Sequence, residues 1–186
     1  MLQQFDPCAL CSYDKPSWSP DGRQLAFVGY DAKAGKASLF LATVNAEGQP
    51  YIQHRGGPPG FLRVLDAQTL GFVDFSGNRQ FISSGNLLEN PKAHLFLIDY
   101  RQRRRVKIWG EARMVEATPE LLARLMPEGY PARPEQVLLF TVHAWDANCP
   151  QHIPARFEAE DVLAALQEKD RRIAALEAEL ERLRRD

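Results

Sequence analysis

Between residues 38 and 145 the chain is a succession of short apolar or alternating stretches separated by turn residues, and that rhythm leaves few folds open. SLFLATV (38–44) ends at AEGQ, PYIQHRG (50–56) at a run of glycines and prolines, and FLRVLD (61–66) precedes TLGFVDF (69–75). KAHLFLIDY (92–100), RRRVKIWGEARMVE (about 103–116) and EQVLLFTVHAW (135–145) follow. Strands are this short, and turns this frequent, when neighbours pair as hairpins. Six or seven of them with two short helices fit a closed or nearly closed antiparallel barrel. In the longest stretch Val106, Ile108, Ala112 and Met114 fall on one side, the expected inward face. The helices are expected at SSGNLLENP (83–91) and TPELLARLM (118–126). The second begins with Thr118 as N-cap, Pro119 at the first helical position and Glu120 in the first turn.

Two flanking segments read differently. Residues 1–37 carry a Cys8-Ala-Leu-Cys11 pair and PSWSPDGRQLAFVGY (16–30), a turn with a short strand. WSPDG before an apolar strand resembles one repeat of the TolB-type β-propellers. A propeller needs several such repeats and no second WSPDG is present, so this segment is expected to be an irregular lead-in. From 158 to 186 there is no Gly or Pro, and Val162, Leu166, Lys169, Ile173, Leu176, Leu180 and Leu183 recur at alternating steps of four and three. That is a heptad seam with one polar position, expected to form a coiled-coil helix with a partner helix, from a second copy or another protein, or else to lie along its own barrel. The expected units are therefore 1–37, 38–157 and 158–186.

Charge and cysteine usage exclude several classes. With 23 basic and 24 acidic residues among 186, the net charge of −1 exerts no long-range pull on nucleic acid or anionic membranes. RQRRRVK (101–107) lies between two strands without interleaved aromatics and reads as a solvated hairpin loop. No apolar run reaches the length of a spanning helix, and MLQQFDPCAL lacks the features of a secretory signal. Three cysteines argue against a secreted disulfide framework. A cytoplasmic location is the expectation.

The polar residues between the strands suggest an anion seat: Gln53, His54 and Arg55; Arg63 beside Val64; Asn78 and Arg79; then Ser83, Ser84, Gly85 and Asn86 at the start of a helix. Arginines offer bidentate anion contacts, and a helix N-terminus with hydroxyl residues suits phosphate. In order and spacing, RVLDAQTLGFVDFSGNRQFISSGNLLENPKAHLFLIDY resembles the pyridoxamine 5'-phosphate oxidase-like FMN-binding split barrels. QPYIQHRGGPPGF and AWDANCPQHI (144–153) are similar to segments of an uncharacterised, pyridoxamine 5'-phosphate oxidase-related branch. The resemblance spans 38–157. It implies a six- or seven-stranded split β-barrel, a homodimer with FMN at its interface, and flavin-dependent oxidoreductase chemistry on a small substrate, with a nicotinamide cofactor or a small reduced substrate as the donor.

The same resemblance implies cofactor contacts from Gln53, His54, Arg55, Arg63, Val64, Asn78, Arg79, Ser83, Ser84, Gly85 and Asn86, with Arg55 toward the phosphate and GGPPGF as the tight connection to the next strand. Gln151 and His152 would close over the flavin, with His152 the candidate proton donor or acceptor. The chain departs from the oxidase proper at Ile82-Ser83, where that enzyme carries an Arg-Lys pair, and it lacks a phosphate-binding Lys and the C-terminal substrate-phosphate residues. Oxidation of pyridoxamine phosphate is therefore not carried over. Three alternatives stay open: a flavin-binding protein without catalysis, a split barrel for haem or a deazaflavin, and a zinc site joining Cys8 and Cys11 to Cys149 and His152.

Overall fold

The computed structural model describes residues 3–4, 17–18, 25–26, 37–77, 79–100, 103–148, 151–157 and 159–185. In chain order the elements are β1 (Gln3–Gln4), β2 (Ser17–Trp18), β3 (Leu25–Ala26), β4 (Ala37–Val44), β5 (Pro50–Gly57), β6 (Arg63–Val64), β7 (Thr69–Phe75), α1 (Ile82–Glu89), β8 (Lys92–Asp99), β9 (Arg104–Glu116), α2 (Pro119–Leu125), β10 (Pro134–Asn148) and α3 (Ala159–Leu183). Most of the lead-in, with Cys8 and Cys11, lies outside the described residues, as does Cys149. Among the described residues no helix is long and apolar enough to cross a membrane.

The main sheet is antiparallel and runs β5-β4-β8-β9-β10-β7-β6, with β1 added alongside β10 and β2 paired separately with β3. β5 and β6 are its two edges. This is the split barrel the sequence suggests, and its interior follows from strand alternation. Leu39 and Leu41 of β4, Leu95 of β8, Val106, Ile108 and Ala112 of β9, Phe72 of β7 and Leu138 and Phe140 of β10 are all buried in one cluster. Burying such a side chain stabilises the fold by roughly 1.5–3 kcal/mol. A smaller cluster of Val73, Leu125 and Val137 lies under α2.

Two local features shape the barrel. The pairing of β10 with β9 shifts register between Val142 and Ala144. An extra residue at His143 lets both Val142 and Trp145 point inward, which strict alternation would forbid. Opposite this strand, Gly110 of β9 is held tightly: a Cβ there would sit 1.9 Å from the Thr141 carbonyl oxygen and 2.7 Å from the Phe140 ring.

Several boundaries differ from the sequence expectation. FLRVLD contributes strand pairing only at Arg63–Val64, because the Leu65 and Asp66 amides turn back to donate to the Thr69 carbonyl. The basic stretch after β8 is mostly strand: Arg104 and Arg105 already pair in β9, and Lys107 forms an ion pair with Asp146 at 3.1 Å. α2 begins as expected, with the Thr118 hydroxyl accepting from the Leu121 amide and Pro119 first in the helix.

The glycine- and proline-rich stretch turns a corner. β5 runs through Gly57, the Phe61 amide then donates to the Pro58 carbonyl, and Gly60 takes a φ of +78°. Phe61 folds back so closely that a Cβ on Gly57 would lie 2.7 Å from it, and its ring packs edge-on to Phe72 at 5.7 Å.

Candidate functional site

The candidate site lies along the seam where β5, β7 and the start of β10 face α1. Alternation on β5 sends Tyr51, Gln53 and Arg55 to one side and Ile52 and His54 to the other. Arg55 reaches across the split and its Nη1 forms an ion pair with the Asp74 carboxylate of β7. Both side chains are 16% exposed. The buried Nε of Arg55 has no hydrogen-bond partner among the described residues. Burial pushes the Asp74 carboxyl above the ordinary carboxylate value; the Arg55 charge opposes that shift and nearby Glu135 adds to it. Glu135 itself accepts from Arg79 through Nε at 3.1 Å and Nη2 at 2.7 Å, which holds its carboxyl below the usual value.

α1 docks on this seam through two polar contacts. The Ser83 hydroxyl, almost fully buried, donates to Gln53 Oε1 at 2.8 Å, and Asn86 Nδ2 donates to the buried Thr43 hydroxyl at 3.0 Å. The helix starts one residue earlier than the sequence suggests. Its N-cap is Phe81, in the left-handed region at φ +53°, and no side chain caps the first turn. The first-turn N–H groups therefore point out of the helix without a side-chain acceptor, beside the half-buried Ser84 and the exposed Gly85. A Cβ added to Gly85 would meet nothing within 4 Å, so no packing neighbour requires glycine there.

The structure thus gathers Gln53, Arg55, Arg79, Ser83, Ser84, Gly85 and Asn86 around one seam. Other residues named from the sequence lie elsewhere. His54 is on the outer face, edge-on to Phe40 at 5.8 Å. Val64 packs in the core. Arg63 Nη1 donates to the Arg124 carbonyl at 3.1 Å, which ties it to the end of α2; its buried Nε has no partner. Asn78 lies outside the described residues. Gln151 and His152 are exposed just beyond the far end of β10, whereas Glu135 and Arg79 mark its start. Within one chain, His152 and Arg55 are therefore at opposite ends of that strand.

Sequence reasoning missed Asp74, Glu135 and Thr43. The signal for Asp74 was a lone acid inside the apolar run TLGFVDF. Glu135 and Thr43 carried no comparable mark. Among the described residues no group of three His, Cys, Asp or Glu side chains is placed to hold a metal ion; the Cys8, Cys11 and Cys149 expectation lies outside them.

The antiparallel barrel, open along one seam with a short helix docked against it, defines a split-barrel protein whose seam carries two arginine–carboxylate pairs and buried hydroxyls. Residues 31–149 match the family described as pyridoxamine 5'-phosphate oxidase, and the chain belongs to that family. Two crystal structures of Group A Streptococcus HupZ are similar to this chain. One, a variant, has 18% identity over 70% of this chain and 99% of its own, with a TM-score of 0.50. The other has 20% identity over 69% and 96%, with a TM-score of 0.49. An FMN-binding protein from Syntrophomonas wolfei subsp. wolfei has 16% identity over 63% of this chain and 81% of its own, with a TM-score of 0.46. No protein of curated function matches the sequence.

Proposed function

We propose that this chain binds FMN at the β5–α1 seam and works as a cytoplasmic, homodimeric, flavin-dependent oxidoreductase on a small substrate. The observation that carries this reading is the buried Nε of Arg55, without a hydrogen-bond partner among the described residues, on the strand to which the uncapped start of α1 is tied by Ser83 and Gln53, in a chain of the pyridoxamine 5'-phosphate oxidase family. Donors without a protein partner are open to an anion, as fully hydrogen-bonded arginines and side-chain-capped helices are not. Arg55 and the first-turn amides would hold the phosphate, while the Ser83–Gln53 hydrogen bond fixes α1 against β5 and so sets the distance between the two sets of donors.

FMN would supply the redox chemistry, and the chain supplies position and electrostatics. A second copy accounts for a further observation. The outer face of β5, β4, β8 and β9 carries Ile52, 63% exposed, with Phe40, Phe96 and Trp109 in adjacent strands.

One observation favours a different ligand. Asp74 already occupies one side of Arg55, and a carboxylate is a poor neighbour for a phosphate dianion. That favours a split barrel whose planar ligand carries no phosphate at this place, such as haem. The visible spectrum of the purified protein separates these readings: a flavin spectrum released as FMN on denaturation is expected, while a Soret band, or failure to take up added FMN, overturns the flavin assignment. Reduction of bound flavin by NAD(P)H and its reoxidation then test the oxidoreductase reading; a flavin that cannot be turned over leaves a binding protein.

A further inference from the structure

α3 leaves its whole apolar seam uncovered. Val162, Leu166, Ile173, Leu176, Leu180 and Leu183 are between 45% and 60% exposed, and no residue of the helix is buried. The helix therefore does not use its own barrel as a partner, unlike α1 and α2, whose Leu87 and Leu125 are buried. A seam of this kind over 25 residues, about 38 Å of helix, is built to meet another helix.

We infer that the occupant is α3 of a second copy, in a parallel, in-register, two-stranded coiled coil. In heptad terms Leu166, Ile173 and Leu180 fall at a, and Val162, Lys169, Leu176 and Leu183 at d. Arg172 and Glu179 fall at g, and Asp170, Glu177 and Arg184 at e. In a parallel pair each g residue faces the next e residue of the other helix. Arg172 then meets Glu177 and Glu179 meets Arg184, and symmetry makes each pair twice. Both contacts are between opposite charges.

Other arrangements bring like charges together. An antiparallel pair sets g against g and e against e. Where Ile173 packs beside Leu176, Arg172 meets Glu179 but Asp170 meets Glu177. A shift of one heptad one way puts Arg172 against its own copy; a shift the other way does the same to Glu179 and Glu177. A parallel pair slipped by one heptad sets Arg172 against Arg184 and Glu179 against Glu177. At the flanking e and g positions only the parallel, in-register pair is free of such contacts; within its seam it sets Lys169 beside Lys169 of the other copy. Exposed ion pairs contribute little affinity, so they choose the orientation while the apolar seam supplies the binding.

Lys169, the polar d position, fits the same arrangement. A d side chain packs beside the e residue of the facing helix, which here is Asp170. Its methylene stem can lie on the seam while the ammonium reaches that carboxylate. The parallel geometry also fixes where the barrels go: both Ala159 ends lie together, so two barrels hang from one end of the coil.

The test is disulfide trapping in the full-length chain. Leu166→Cys and Leu183→Cys are made separately, and a size-tagged Leu183→Cys chain is co-expressed with the Leu166→Cys chain. The two positions are about 26 Å apart along a helix. Under a glutathione redox buffer each variant is expected to convert mostly to disulfide-linked dimer with itself, with no mixed product and no such dimer in the unsubstituted chain. A mixed Leu166→Cys/Leu183→Cys product would overturn the parallel orientation; absence of self-linked product at both positions would overturn pairing between copies. Because α3 buries nothing, these changes leave the barrel folded, which circular dichroism checks. The flavin spectrum of the same samples reads the cofactor assignment independently.

Discussion

Asp74 and Arg55 are the residues on which the ligand assignment turns. If Arg55 holds a phosphate, Arg55→Ala should weaken FMN binding by about 2 kcal/mol, roughly 30-fold, the cost of one charge-assisted hydrogen bond. Titration followed by flavin fluorescence measures this, and an unchanged affinity would remove Arg55 from the phosphate site. His94 allows a test of stability instead. It stacks on Trp109 at a centroid distance of 4.9 Å, and its Nε2 is buried without a partner. Burial, with the Lys107 charge beside it, lowers its pKa below the ordinary 6.5. A depressed histidine stabilises the fold above its unfolded pKa and loses that contribution as pH falls through the folded value. Thermal stability should therefore drop on acidification below about 6.5, and His94→Phe should flatten that part of the profile. An identical slope in the variant would assign the acid sensitivity to other groups.

At the scale of elements, Gly110 and α3 make opposite predictions. The near-contact of Gly110 with the Thr141 carbonyl leaves no room for a methyl group. Gly110→Ala must push β9 away from β10 and should cost more than about 3 kcal/mol, beyond the usual range of single substitutions; a chemical denaturation midpoint close to that of the parent chain would refute this. Truncation after Phe157 removes a helix without buried residues, so the barrel should melt within a few degrees of the full-length chain. A collapse of the melting transition would make α3 part of the core.

This is also the scale at which the sequence was most legible. Strand alternation placed β4, β5, β7, β8, β9 and β10 within a few residues of their observed bounds, because one buried face forces a period of two. Thr118-Pro119 marked α2 by capping chemistry alone. α1 was harder, since its cap is a left-handed Phe81, a conformation for which no residue type but glycine gives notice. The seam was half legible. Arginines and hydroxyls announced an anion seat, but the same alternation that sends Gln53 and Arg55 to one side sends His54 to the other. The carboxylate that pairs with Arg55 comes from a strand 19 residues away in sequence. Long-range pairing of that kind leaves no local signature.

For the whole molecule, the outer face of the barrel predicts association that does not depend on α3. In the chain truncated after Phe157, Ile52→Asp should shift a dimer toward monomer in sedimentation, because it buries a charge in place of an apolar side chain on the face that carries Phe40, Phe96 and Trp109; equal sedimentation of both chains would remove that face from the interface. The segment leading into α3 then acquires a role of its own. Ile153 is buried, the Arg156 amide donates to the Tyr100 carbonyl, and the Arg156 guanidinium lies 4.3 Å from the centre of the Tyr100 ring. The segment between barrel and helix is thus anchored at residue 156, three residues before Ala159. Two barrels on so short a tether meet at an effective concentration in the millimolar range rather than at that of the solution. A barrel contact too weak to survive dilution by itself would then persist wherever the coil itself has formed, and a site built from both barrels would follow the affinity of the coil rather than that of the barrel contact.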